Sequence, residues 1–104
     1  MRRRLFWVKD QPVEFDLYGE GRRDGVPVVL LGEVKSRIHW REVNQFRYRV
    51  DRIRPQIEQE VFPIMFGYYI DFSAEEAAQG DIQLIASYQP GAEMHANLWR
   101  EDEE

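Results

Sequence analysis

Val13-Glu-Phe-Asp-Leu-Tyr-Gly19 and Val26-Pro-Val-Val-Leu-Leu-Gly-Glu-Val-Lys35 are the two segments that decide the fold. The first alternates apolar and polar residues, which is typical of a half-buried strand. The second is apolar on both faces through Val28–Leu31, which indicates a central strand buried on both sides. Residues 19–25 between them are turn-rich, and Asp24-Gly25 is a strong signal for a two-residue turn. The sequence therefore predicts an antiparallel hairpin.

The turn sets the register of this hairpin. If Asp24 and Gly25 are its two central residues, Asp16 lies opposite Glu33 and Glu14 lies opposite Lys35. Opposed side chains share one face of a sheet, with Cβ atoms about 5 Å apart. Alternation then directs the intervening Val34 away, into the core, and a slip of one residue would separate the two acids.

Two functions are open to this cluster of Asp16, Glu33 and Lys35. Carboxylates at that distance repel each other unless a cation lies between them, and oxygen ligands suit Mg²⁺ or Mn²⁺. Such an ion polarises a phosphoryl oxygen and activates water, which Lys35 would orient or deprotonate. The alternative is an ordinary surface hairpin with an ion pair between Glu14 and Lys35, worth less than about 1 kcal/mol.

The rest of the chain predicts the order β-β-β-α-β-α-β. Apolar residues spaced by three and four predict a helix over residues 40–60, broken or kinked at Pro55. Ser73-Ala-Glu-Glu76 is expected to cap a short helix that reaches Gln79. Strands are predicted over residues 3–8, 61–72 and 81–88, the first ended by Gln11-Pro12. Strands that alternate with helices pair in parallel, so the expected fold is α/β with a mixed sheet and a helix on at least one face.

Composition supports one domain over residues 1–90 and an acidic, flexible tail over residues 91–104. The chain has 104 residues and no cysteine, which excludes a disulfide scaffold, a thiolate zinc site and a cysteine nucleophile. It contains neither a signal peptide nor an apolar run of about 20 residues. The expectation is a cytoplasmic protein without a membrane partner.

Charge is divided unevenly along the chain. Residues 1–54 hold 13 basic and 8 acidic side chains, whereas residues 55–104 hold 1 basic and 11 acidic ones. A basic region attracts phosphate backbones, although the two halves would cancel if they interleave in space. Trp40 is expected to cap the core rather than to stack on a base, and His39 to start the helix.

The motif Val13-Glu-Phe-Asp16, followed by Leu31-Gly-Glu33-Val34-Lys35-Ser36, resembles the signature of the PD-(D/E)XK nuclease superfamily, which has the restriction-endonuclease-like fold. The resemblance extends over roughly residues 5–88 and includes the amphipathic helix after the second strand. It implies a metal-dependent endonuclease that hydrolyses DNA with Mg²⁺- or Mn²⁺-activated water. Asp16, Glu33 and the Val34 carbonyl would be metal ligands, Lys35 the catalytic lysine and Gln45 a supporting residue. The resemblance also implies that DNA phosphates are contacted by the arginines beside this site, on the helix after it and at the hairpin tip: Arg37, Arg41, Arg47, Arg49, Arg52, Arg54, Arg22 and Arg23.

The family core normally begins with a helix before the first strand, and nothing before Arg2 supplies one. One face of the sheet is therefore expected to be bare, and to be covered by self-association or by sequence outside this chain. The alternative function is a catalytically silent module of the same fold that binds DNA or forms oligomers.

Overall fold

The fold is α/β, with one five-stranded mixed sheet and two α-helices. It is seen in a computed structural model that describes residues 2–88. The predicted acidic tail lies outside the described residues. The elements follow the predicted order: β1 Arg2–Val8, β2 Gln11–Arg23, β3 Val26–Ile38, α1 Trp40–Ile53, a 3₁₀ turn Arg54–Gln56, β4 Glu60–Ile70, α2 Phe72–Ala78 and β5 Gln83–Tyr88.

The strands lie side by side in chain order, β1-β2-β3-β4-β5. The first three pair antiparallel, and β3, β4 and β5 pair in parallel, as predicted for strands separated by helices. β2 is longer than expected, because the segment read as turn-rich continues the strand to Arg23. Gln11 and Pro12 also belong to β2, and the chain reverses at Lys9 and Asp10, which both have positive φ.

The predicted hairpin register is confirmed over most of its length. Asp24 and Gly25 have φ of 53° and 82°, the signs that a type I′ turn requires at both central positions. The ladder between β2 and β3 runs from Arg23–Val26 to Leu17–Gly32 and ends there, one residue short of the expected pair of Asp16 with Glu33.

A β-bulge in β2 accounts for the end of this ladder. Arg2 pairs with Tyr18 and Arg4 pairs with Phe15, so Arg3 of β1 faces two residues of β2, Asp16 and Leu17. Phe15 is fully buried, as alternation predicts. Beyond the bulge, Tyr18, which simple alternation placed on the polar face, packs against the core.

Helix α1 covers one face of the sheet. Its buried stripe of Val43, Phe46, Val50 and Ile53 is the predicted one, and Phe46 meets Phe15 of β2 edge to face with ring centroids 6.0 Å apart. The helix ends at Ile53 rather than near residue 60, because Pro55 lacks the N–H that would continue the helical hydrogen bonds. Ile57, the last residue of the predicted stripe, is only partly buried, beyond the helix.

Helix α2 packs beside α1 and begins two residues earlier than predicted. Asp71 is the N-cap, and its carboxylate accepts a hydrogen bond from the Ser73 N–H at 3.0 Å. Hydrogen bonding to the Ser73 side chain and to this N–H lowers the pKa of Asp71. The Ser73 hydroxyl, predicted to be the cap, instead accepts the Trp40 N–H at 3.1 Å and thereby ties α2 to the start of α1.

The opposite face of the sheet carries no helix within residues 2–88. Val34 belongs to this face and is 52% exposed, so the expectation that it points into the core is wrong. It lies beside Phe66, which lies beside Ile85. No helix in the described part of the chain is long and apolar enough to span a bilayer.

Candidate metal and nucleic-acid site

The residues of the Asp and Glu-x-Lys motif meet at the end of the β2–β3 ladder, but not as a direct cross-strand pair. An Asp16 carboxylate oxygen accepts the backbone N–H of Val34 at 2.9 Å. That amide belongs to the peptide unit joining Glu33 to Val34, so the Asp16 carboxylate takes the place of the backbone acceptor that a continued ladder would provide. In an extended strand the N–H and C=O of one residue point to the same neighbouring strand, so the Val34 carbonyl also faces β2.

Glu33 is the buried acid of the site. Its side chain is 8% exposed, on the face of β3 that α1 covers. Both carboxylate oxygens accept hydrogen bonds from Arg49 of α1, at 2.7 and 3.3 Å, and the Lys35 Nζ lies 3.6 Å from one of them. Burying a carboxylate is costly unless it is paired and hydrogen-bonded, and Arg49 meets both conditions.

Asp16 and Glu14 have a different cation. Arg3 of β1 donates to Glu14 at 3.1 Å and lies 3.8 Å from an Asp16 carboxylate oxygen. Glu14 and Lys35, expected to pair across the hairpin, therefore have separate partners, Arg3 and Glu33 respectively. The six charged side chains therefore form two neighbouring ion-pair groups. One group consists of Arg3, Glu14 and Asp16, and the other of Glu33, Lys35 and Arg49.

Arg49 connects the two groups. Besides its bonds to Glu33, it donates to the backbone carbonyl of Glu14 at 3.2 Å. The sequence placed Arg49 among the phosphate-contacting arginines and did not predict this role. The available signal was Glu33 itself, since a carboxylate inside an otherwise apolar central strand needs a cation from the layer that covers it.

The donor atoms suit Mg²⁺ or Mn²⁺ by type, because two carboxylates and one backbone carbonyl are all hard oxygen ligands. The described residues contain no group of three or more acidic, histidine or cysteine side chains that could hold a metal. Glu33 already has a cation on both oxygens. A metal bound here by Asp16 and Glu33 would therefore compete with Arg49 for the Glu33 carboxylate.

The other predicted site residues lie on or near α1. Gln45 is exposed and lines a shallow groove on the outer side of the helix, together with Arg49. Arg47 is engaged elsewhere: it donates to both Asp81 oxygens at 2.7 Å and to the carbonyl of Ala77, near the end of α2, at 2.6 Å. Its hydrogen bonds lower the pKa of Asp81.

The other arginines of the predicted interface have different partners. Arg22 donates to the Gly25 carbonyl at 2.9 Å, Arg54 lies 3.8 Å from an Asp51 carboxylate oxygen and Arg23 lies over the Phe62 ring. Three more arginines also lie over aromatic rings. The guanidinium carbons of Arg37, Arg41 and Arg52 lie 5.6, 5.4 and 5.7 Å from the rings of Tyr69, Trp40 and Tyr48. Within residues 2–88, the Arg47–Asp81 pair is the one ion pair that joins the basic and acidic halves of the chain.

His39 is the N-cap of α1, as expected, and its backbone N–H donates to Glu42 at 2.8 Å. Trp40 differs from the expectation: half of it is exposed, so it does not cap the core. Comparison with known proteins finds no matching family model, no matching curated protein and no matching solved structure.

Proposed function

We propose that this chain is a metal-dependent endonuclease of the PD-(D/E)XK type, which hydrolyses phosphodiester bonds of DNA. The observation that carries the proposal is the hydrogen bond from the Val34 amide to the Asp16 carboxylate. It brings the Asp16 carboxylate of β2 against the peptide between Glu33 and Val34, which lies within the Glu-x-Lys motif of β3. The surrounding order of elements, a hairpin followed by a helix and two parallel strands, is the context in which that motif resembles the nuclease signature.

Each residue of the cluster has a defined part in this proposal. Asp16, Glu33 and the Val34 carbonyl would hold Mg²⁺ or Mn²⁺, which supplies polarisation of a phosphoryl oxygen and a more acidic water. Lys35, 41% exposed in its side chain, reaches both Glu33 and solvent. Its ammonium group would orient the attacking water or stabilise negative charge on the scissile phosphate. Gln45 would support the site from the exposed side of α1.

The alternative is a catalytically silent module of this fold that binds DNA or forms oligomers. The observation that favours it is the Arg49–Glu33 pair. An arginine on a buried carboxylate supplies the positive charge that a metal would otherwise bring. The Glu33 carboxylate is therefore neutralised without a bound metal ion.

Metal binding and cleavage separate these two functions. We expect Mn²⁺ to raise the melting temperature of the full-length chain, since a ligand that binds only the folded state stabilises it by mass action. Asp16→Asn should abolish the shift. Glu14→Gln is the matched control, because Glu14 is a neighbouring acid that pairs with Arg3 and has no part in the proposed metal set.

Cleavage of plasmid and single-stranded DNA in Mg²⁺ or Mn²⁺ should be lost in Asp16→Asn and Lys35→Met and kept in Glu14→Gln. Nicking that persists in both site variants would come from a contaminant and would overturn the nuclease proposal. DNA binding without a Mn²⁺ shift and without cleavage would establish the silent module instead.

A further inference from the structure

Exposed aromatic rings and arginines gather where β3 and β4 end. We call this cluster the aromatic edge; it consists of Arg37, Trp40, Arg41, Tyr69 and Phe72. Trp40 is 50% exposed and Phe72 is 70% exposed, although both belong to residue types that are usually mostly buried.

Backbone contacts hold the two halves of the aromatic edge together. Arg37 pairs with Tyr69 across the parallel ladder. Just beyond it, the Asp71 N–H donates to the Ile38 carbonyl at 2.9 Å, and the Trp40 N–H donates to the Ser73 hydroxyl at 3.1 Å. Trp40 and Phe72, the first residues of α1 and α2, are therefore fixed beside each other by hydrogen bonds that do not involve their rings.

The charge of the aromatic edge is positive and unpaired. Arg37 and Arg41 lie against the rings of Tyr69 and Trp40, and within residues 2–88 neither forms an ion pair. The two nearby acids are already engaged. Glu42 accepts the His39 N–H at 2.8 Å, and Asp71 caps α2.

We infer that the aromatic edge binds single-stranded nucleic acid, with bases stacked on Trp40 and Phe72 and phosphates held by Arg37 and Arg41. Exposed rings beside arginines are the combination that single-strand-binding surfaces use, since every base offers a face to stack while the backbone offers negative charge. In a duplex the base faces are covered by stacking on neighbouring base pairs, so a duplex would contact only the arginines of the aromatic edge. The inference rests on the proposed function, because Arg37 follows Lys35 by two residues on β3, so a strand held at the edge leads to the candidate site.

The test is fluorescence anisotropy with three labelled probes of equal length: oligo(dT), an abasic oligomer with the same phosphates, and a duplex. We expect the full-length chain to prefer oligo(dT) over the other two. Trp40→Leu should weaken binding of oligo(dT) about tenfold and leave binding of the abasic probe unchanged, as loss of one stacked base predicts. Phe72→Leu should act in the same direction.

Trp7→Leu is the matched control, because Trp7 is 59% exposed but lies on β1, the opposite edge strand from β5, with β2 and β3 between it and β4. Arg41→Gln should weaken all three probes and reduce the dependence of binding on salt. Melting temperatures of the variants verify that each one folds.

Three outcomes would overturn the inference: duplex bound as tightly as oligo(dT), equal effects of Trp40→Leu and Trp7→Leu, or no binding of any probe together with self-association through these rings. These results are distinct from failure of the proposed function. Binding that depends on Trp40, without any cleavage, would support single-strand binding at the aromatic edge and contradict the proposed nuclease activity. Cleavage that is unchanged in Trp40→Leu, together with unchanged binding, would support the nuclease and contradict the role of the aromatic edge.

Discussion

Replacing Arg49 by methionine tests whether the buried ion pair is formed as described. The substitution keeps an unbranched side chain of similar width against the core and removes the guanidinium that holds both Glu33 oxygens. The Glu33 carboxylate, only 8% exposed, then retains just the Lys35 ammonium group at 3.6 Å.

The magnitude follows from this geometry. Removing one partner of a buried ion pair costs about 3–5 kcal/mol, because a buried charge is left uncompensated. Arg49 is 27% exposed and Lys35 remains nearby, so we expect a loss below this range, about 2–3 kcal/mol. Glu33→Gln in the same background should recover a large share of that loss, since no buried negative charge then remains.

Urea unfolding measures the effect. With a slope of about 1–3 kcal/mol per M, the Arg49→Met midpoint should fall by about 0.7–3 M. Arg52→Met is the control on the same helix; Arg52 lies over Tyr48 and should change stability by less than about 0.5 kcal/mol. A double-mutant cycle should give a coupling energy between Arg49 and Glu33 of about 2 kcal/mol. Equal midpoints for Arg49→Met and Arg52→Met, or a coupling near zero, would refute the reasoning.

Two further predictions concern the packing of the helices and the sheet. Arg47 lowers the pKa of Asp81, so this pair contributes stability that is present above the ordinary pKa of 3.8 and is lost as the pH falls through the lower, folded-state pKa. Because Asp81 is 52% exposed, the contribution is below about 1 kcal/mol, and it should be missing from the pH–stability profile of Asp81→Asn; parallel profiles would contradict it. Gly67→Ala should lower stability by about 1–3 kcal/mol, since its Cβ would lie 2.8 Å from the Ile38 side chain. Gly21→Ala, where the new Cβ meets nothing within 4 Å, is the control for thermal melting, and equal losses would show that the Ile38 contact is not the cause.

Local signals predicted the order of the elements and most of the hairpin register. The Asp24-Gly25 turn fixes the pairing because both residues take the positive φ that a two-residue hairpin turn needs. The register fails at Asp16 because a bulge between β1 and β2 inserts one residue there. Alternation within β2 cannot reveal a bulge, which depends on how the neighbouring strand is aligned.

Tertiary contacts explain the other differences. Ser73 and Glu76 have the spacing of a capping box, yet the Ser73 hydroxyl is used by Trp40, and Asp71 caps the helix in its place. Arg49 lies on the polar side of an amphipathic helix, where the pattern predicts solvent. The pattern within α1 contains no information on Glu33, which is 16 residues away in sequence and comes under Arg49 only when the helix packs on the sheet.

Arg49 therefore separates the two proposed functions on energetic grounds. If Asp16 and Glu33 form a metal site, removing Arg49 lowers stability but frees a carboxylate for Mn²⁺, so the metal should stabilise Arg49→Met by more than it stabilises the wild type. If the cluster is only an ion-pair network, the same substitution lowers stability and Mn²⁺ does not restore it. The comparison needs no substrate, because it measures only whether Mn²⁺ competes with the Arg49 guanidinium for the Glu33 oxygens. If Mn²⁺ competes, the ion pair is the metal-free state of a metal site. If it does not, the ion pair is a structural contact.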